Sequence, residues 1–272
     1  SYLTEALVRI VNESGILPAG ALQLVIGSTG DLLDRLDGRD VVTFTGSADT
    51  AAKLRVHPNV VRHSIPFNAE ADSLNCAILA PEVTPDDDEF DLFVKEVVRE
   101  MTIKAGQKCT AIRRAIVPRQ HLDAVAERIA ARLAKVVVGD PSVEGVKMGA
   151  LASHAQQADV AERVALLRQG AEVVYGGGDG FAPVGEGVAN GAFFQPTLLL
   201  ARQPMANSAV HDVEAFGPVS TLMPYDGVDQ ALQLAARGQG SLVCSLVTKS
   251  PETAATMVPA LAALHGRVHV LD

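Results

Sequence analysis

Short apolar runs alternate along this chain with stretches whose apolar residues recur every three or four positions. Gly, Pro, Asp or Ser stands at most of the change-overs. A strand–turn–helix rhythm of this kind is the mark of βαβ units, and it predicts an α/β fold built on parallel, doubly wound sheets. The core must come from Leu, Val, Ile and Ala, because aromatics make up only 4% of 272 residues and tryptophan is absent, although 48% of the chain is hydrophobic.

Leu3, Leu7, Ile10 and Val11 mark the apolar face of a first helix, which Gly15 ends. Residues 22–26 are expected to form a buried strand, 31–36 a short helix and 41–44 a second strand, after which Thr45-Gly46-Ser47 turns into a helix over 48–55. A new section starts near Asn68. It holds a strand at 76–80, an acidic loop in which Asp86, Asp87 or Asp88 caps the next helix, and a helical stripe of Phe90, Phe93, Val94, Val97, Val98 and Met101. A strand over 111–117 stops at Pro118, and Leu122, Val125, Ile129 and Leu133 line a further helix. Then come a turn at Gly139-Asp140-Pro141, a helix marked by Val160, Val164 and Leu167, and a strand at 172–175 closed by Gly176-Gly177-Gly178. Residues 179–193 read as a surface loop, 219–223 and 242–248 as strands, Ser250-Pro251 as a helix start and 267–271 as a last strand. The first element is a helix with no strand before it and the last is a strand with nothing after it, so a fragment of a longer enzyme is expected.

Charge and cysteine usage exclude several classes. A net charge of −9 argues against nucleic acid and anionic membrane surfaces as partners. No apolar run approaches the roughly 18 residues of a membrane span, and no signal peptide is visible. Three cysteines are too few for a disulfide framework, which points to a reducing, cytoplasmic setting.

Cys109 is the residue placed to react. It follows Gly106-Gln107-Lys108 at the exit of a helix and precedes a strand, whereas Cys76 and Cys244 sit inside apolar runs, where a thiol acts as a small hydrophobe. Lys104 and Lys108 stand close enough in sequence to favour a thiolate. Glu70, at the entry to the next strand, is a general base if burial raises its pKa and a solvated loop carboxylate otherwise. Thr45-Gly46-Ser47 offers the amide groups of a helix start, which attract phosphate, though any capped helix after a strand has this form. Glu214-Ala215-Phe216-Gly217-Pro218-Val219 brings a carboxylate and an aromatic ring to a strand entry. His265 and His269 have a spacing that metal ligands use on helices, but here they flank a strand start without a third ligand. They and the other histidines read as structural, and no metal is expected.

Taken in order, these segments resemble the aldehyde dehydrogenase superfamily along essentially the whole chain. The resemblance rests on Leu17-Pro18-Ala19-Gly20, Phe44-Thr45-Gly46-Ser47, Gly106-Gln107-Lys108-Cys109, Gly139-Asp140-Pro141 with Met148-Gly149-Ala150-Leu151, Phe194-Gln195-Pro196-Thr197, and Glu214 to Val219. Within the family, Glu70-Ala71-Asp72-Ser73-Leu74-Asn75 and the run from Gly106 to Arg114 are similar to the dehydrogenase part of bifunctional phenylacetate-degradation enzymes and to dehydrogenases of CoA-linked semialdehydes. Most family members carry Glu-Leu-Gly-Gly where this chain has Glu70-Ala71-Asp72-Ser73.

The resemblance implies the roles. Cys109 attacks the aldehyde, its backbone N–H helps hold the oxyanion, and a thioester forms that Glu70 hydrolyses by activating water. Gly46 and Ser47 face the cofactor pyrophosphate, Glu214 holds the nicotinamide ribose and Phe216 packs near the nicotinamide. The cofactor is NADP, or NAD, and the substrate an aldehyde carried on coenzyme A. The full-length enzyme is implied to be a homo-oligomer. The family's oxyanion-hole asparagine and ribose-binding lysine have no counterpart here, so little or no turnover is expected from these residues alone. Two other readings stand beside this one. The first is a thiol hydrolase or acyltransferase using Cys109 with His63 or His211 as base, and the second is a catalytically inactive module. The implied architecture has residues 1–68 as the trailing half of a dinucleotide-binding domain and 69–272 as the thiol-bearing catalytic domain. Its ligand site is expected at the carboxyl ends of strands.

Overall fold

A computed structural model describes residues 2–177 and 181–272. Its contacts divide into two compact units, Ser1–Asp72 and Ser73–Asp272. Gly178 of the expected glycine turn, and the start of the loop expected from 179, fall outside the described residues.

In the first unit, α1 (Tyr2–Glu13) is amphipathic as its spacing predicts, yet none of its residues is buried. The short strand β1 (Val42–Thr45) leads through Gly46 and Ser47 into α2 (Ala48–Arg55), and α3 (Pro58–Arg62) leads to β2 (Phe67–Glu70). β1 and β2 pair in parallel, with Thr45 opposite Glu70. β2 runs across the 68/69 boundary expected from sequence, so residues 69–72 stay with the first unit. The expected buried strand over 22–26 is absent. Leu24, Val25 and Ile26 are exposed and lie in irregular backbone. An apolar run becomes a strand only where another strand takes up its N–H and C=O groups, and β1 and β2 pair only with each other.

The second unit holds β3 (Cys76–Leu79), α4 (Asp88–Thr102), β4 (Arg114–Pro118), α5 (Leu122–Leu133), α6 (His154–Leu167) and β5 (Glu172–Tyr175). There follow β6 (Thr197–Leu200), α7 (Ala209–Asp212), β7 (Val219–Tyr225), α8 (Val228–Ala236), β8 (Ser241–Val247), α9 (Pro251–Ala262) and β9 (His265–Leu271). The strands form one sheet in the order β5-β6-β7-β4-β3-β8-β9. Every neighbouring pair is parallel except β5–β6, so an antiparallel strand edges a parallel sheet. Every residue of β3, β4 and β7 is buried. Side chains alternate along a strand, so both faces are covered, which is why these strands read as continuous apolar runs rather than alternating ones. α4 and α5 pack on each other, and so do α8 and α9. Asp87 heads α4, but its carboxylate accepts from Thr84 and from Lys249 Nζ rather than from the helix's own amides.

Candidate functional site

β3 and β4 are parallel neighbours, so the chain must return to the starting edge of the sheet between them. α4 makes that return, and Cys109 lies at its end, exposed, in the loop that enters β4. Segment 73–75 enters β3 and segment 213–218 enters β7. Because β7, β4 and β3 are adjacent, these three loops meet at the amino ends of the strands. The expectation of a site at carboxyl ends is therefore overturned for Cys109, Glu214 and Phe216. Gly46, Ser47 and Glu70 stand where β1 and β2 end.

The loop carrying Cys109 is built by a tight left-handed turn. Lys104, Ala105 and Gly106 have φ of 53°, 52° and 69°. A Cβ on Gly106 would lie 2.1 Å from the Gly217 carbonyl oxygen, so only glycine lets the two backbones meet here. Gln107 accepts from the Ala152 N–H at 2.9 Å. Lys108 Nζ donates to both Glu100 oxygens, at 2.7 and 2.8 Å. Lys108, one of the two cations expected to favour a thiolate at Cys109, is thus engaged by a carboxylate. Asn75 fixes the loop from the β3 side: its Nδ2 donates to the carbonyls of Cys109 (2.8 Å) and Ala111 (3.0 Å), and its Oδ1 accepts from the Val243 N–H (2.9 Å). A polar cavity of about 180 Å³ adjoins the loop, lined among others by Asn75, Cys76, Glu100, Lys108, Thr110 and His269.

Arg113 joins this loop to the segment before β7. It is 4% exposed. Its Nε donates to Glu214 Oε1 (3.1 Å), its Nη1 to the Gly217 carbonyl (2.7 Å) and its Nη2 to the Gly106 carbonyl (2.8 Å). Its guanidinium carbon stands 5.4 Å from the centre of the Phe216 ring. The other Glu214 oxygen accepts from the Ser73 N–H at 3.0 Å. Cys109 and Glu214 are therefore held in one hydrogen-bonded assembly, against whose Arg113 the Phe216 ring packs. Asn75 and Arg113, absent from the residues singled out by sequence, are its fasteners. Both lie in quoted motifs, but nothing in their spacing marks them as reaching across strands.

In the first unit, Gly46, Ser47 and Glu70 also come together. The Gly46 N–H donates to the Glu70 carbonyl at 3.1 Å, and Ser47 caps α2 by accepting from the Thr50 N–H. The Asp72 carboxylate accepts from the Ala48 N–H at 3.1 Å. Glu70 itself is exposed.

Two expectations about histidines change. His211 is buried, its Nδ1 facing Arg114 Nη1 at 3.3 Å and its Nε2 the Pro204 carbonyl at 2.9 Å. With both nitrogens engaged it is not the base that a thiol hydrolase would need. His265 and His269 both lie within β9 rather than flanking it, and further ligand types do approach His265. Its Nε2 is 3.7 Å from Cys76 Sγ, which is 3.6 Å from Cys244 Sγ. The three candidate ligand atoms lie within 4.8 Å of one another. The contact with Cys244 holds the Cys76 thiol well below its ordinary pKa, with His265 and Arg114 acting in the same sense against burial. Buried Arg114 donates to the Leu74, Leu234 and Ala235 carbonyls.

The aldehyde dehydrogenase family model matches residues 1–270. The chain belongs to the aldehyde dehydrogenase family. It is 51% identical over all 272 residues to a 3,4-dehydroadipyl-CoA semialdehyde dehydrogenase of Aromatoleum evansii, covering 53% of that protein. It is 47% identical over 126 residues to Protein MaoC of Klebsiella aerogenes, covering 46% of this chain and 36% of that protein. A crystal structure of betaine aldehyde dehydrogenase from Staphylococcus aureus, in complex with NAD+, superposes with a TM-score of 0.82 at 24% identity, over 96% of this chain and 50% of that one. The chain spans about half the length of the curated aldehyde dehydrogenases it matches most fully. The family and the α/β fold implied by the sequence motifs are both met. Among the described residues no helix is long and apolar enough to cross a membrane.

Proposed function

We propose that this chain carries the thiol-bearing part of an NADP-dependent, or NAD-dependent, dehydrogenase that oxidises a semialdehyde carried on coenzyme A to the acid, in aromatic catabolism. The observation that carries the reading is Cys109, exposed on a loop pinned by Asn75 and tied through Arg113 to Glu214 and Phe216. The substrate class is supported by the identity to a 3,4-dehydroadipyl-CoA semialdehyde dehydrogenase along the whole chain.

The chain's residues fit a dinucleotide. Gly46 follows a strand and precedes α2, and a Cβ there would meet the Phe44 ring at 2.5 Å. A phosphate at this helix start takes the place that the Asp72 carboxylate holds on the Ala48 N–H. Glu214, held by the Arg113 Nε–H and the Ser73 N–H, is the carboxylate that accepts from the nicotinamide ribose. The dinucleotide, when bound, supplies the acceptor for the aldehyde hydrogen. Cys109 Sγ adds to the aldehyde carbon, its backbone N–H steadies the resulting oxyanion, and the oxidised adduct is a thioester on Cys109. Glu70 takes a proton from water, which attacks the thioester and frees the acid. In this reading the first unit, Ser1–Asp72, is the trailing half of the cofactor domain and the second, Ser73–Asp272, the catalytic domain, a division four residues later than the 68/69 boundary expected from sequence.

The test is a dehydrogenase assay of the full-length protein with NADP and NAD on a CoA-linked semialdehyde. Cys109→Ser should lower kcat by at least about 1,000-fold. Glu70→Gln should give a burst of reduced cofactor followed by a stall, with acyl-enzyme visible by mass spectrometry. Retained turnover in the Cys109 variant would overturn the proposal.

A further inference from the structure

The guanidinium of Arg113 touches both the loop carrying the thiol and the segment carrying Glu214 and Phe216. It reaches the Gly106 and Gly217 carbonyls and the Glu214 carboxylate, and it donates to the Lys108 carbonyl at 3.4 Å. It stands almost fully out of solvent, and Gly106 and Gly217 meet backbone to backbone beneath it. Arg113 is itself held in register, because its own N–H donates to the Asn75 carbonyl at 3.0 Å. A guanidinium has five N–H donors in a rigid plane, and this geometry uses that plane to span four acceptors on two segments. A lysine ammonium is a single point of charge and does not bridge them.

We infer that Arg113 is a positioning residue of the dehydrogenase: it sets the distance and angle between the Cys109 loop and the Glu214–Phe216 segment without touching substrate. The inference rests on the proposed function for its kinetic consequence, but its structural consequence stands apart from it. Loss of the clamp leaves the Gly106 and Gly217 carbonyls and the Glu214 carboxylate without their shared donor, so the loop relaxes. A displacement of about 1 Å at a nucleophile costs on the order of 100-fold in rate.

The test uses the full-length enzyme with Arg113→Met and, as the charge-preserving variant, Arg113→Lys. Both should lower kcat by about 100-fold while KM for the aldehyde stays within about twofold. Without cofactor, the rate of Cys109 alkylation by iodoacetamide should change at least about fivefold in both variants. Tyr225→Phe removes a buried hydrogen bond to the Leu79 carbonyl away from the loop and serves as the structural control. It should lower Tm and leave kcat and alkylation unchanged. A folded Arg113 variant with wild-type kcat and wild-type alkylation overturns the inference, and Arg113→Lys decides if Arg113→Met does not fold. If the full-length protein oxidises no aldehyde but the Arg113 variants still alter alkylation, the proposed function fails and the clamp stands.

Discussion

His211 takes its tautomer from its neighbours. Arg114 can only donate, so Nδ1 accepts and Nε2–H donates to Pro204, which makes the ring neutral. Burial pushes its pKa down to about 4; Arg114 and Arg237 push the same way, while the Pro204 carbonyl and Asp212 oppose. An unfolded imidazole titrates near 6.5. Between those values the unfolded chain takes up a proton that the folded chain refuses. The stabilisation is therefore full above about pH 6.5 and lost as pH falls toward 4. We expect urea midpoints to fall across this window by the equivalent of about 1–2 kcal/mol, allowing for solvent screening. His211→Gln should flatten that part of the profile, and an unchanged profile would refute the assignment. None of this was legible in sequence. A histidine beside Val210 and Asp212 gives no sign that a buried arginine from another strand will meet it.

At the scale of elements, the turn over 104–106 shows where a local signal has a non-local cause. Gly106 is visible in the sequence as part of a motif, but its necessity comes from the Gly217 carbonyl, which lies more than a hundred residues on. Gly106→Ala combines a strained φ with a backbone clash. It should destabilise the protein by at least about 2 kcal/mol in chemical denaturation and perturb the Cys109 loop. The periodic helices α4 and α5 are readable from their apolar stripes, and α9 from its Ser250-Pro251 start. β2, β6 and α8 are not. β2 and β6 are four-residue strands that carry too few positions for a period, and α8 follows a glycine rather than a side-chain cap. The false strand at 22–26 is the converse, an apolar run that the fold leaves without a partner.

Across the whole molecule, apolar burial is uneven. The contiguous core runs from Cys76 to Leu261, inside the second unit. Ala51, Val60 and Ile65 are the buried apolar residues of the first unit among those described. Amide exchange on the 272-residue chain should therefore be slowest in β3, β4, β7 and β8 and much faster in β1 and β2. Equal protection in the two sheets would contradict this distribution. The sequence by itself determined the α/β alternation and the family, and it singled out Cys109 as the candidate thiol. These rest on local periodicity, turn chemistry and short motifs, which a chain carries wherever it goes. Only the tertiary structure decided that β7, β4 and β3 lie side by side. That adjacency gathers residues 73–75, 106–113 and 213–217 at one edge. It is fixed by long-range burial and backbone pairing, which leave no mark on the spacing of any single segment.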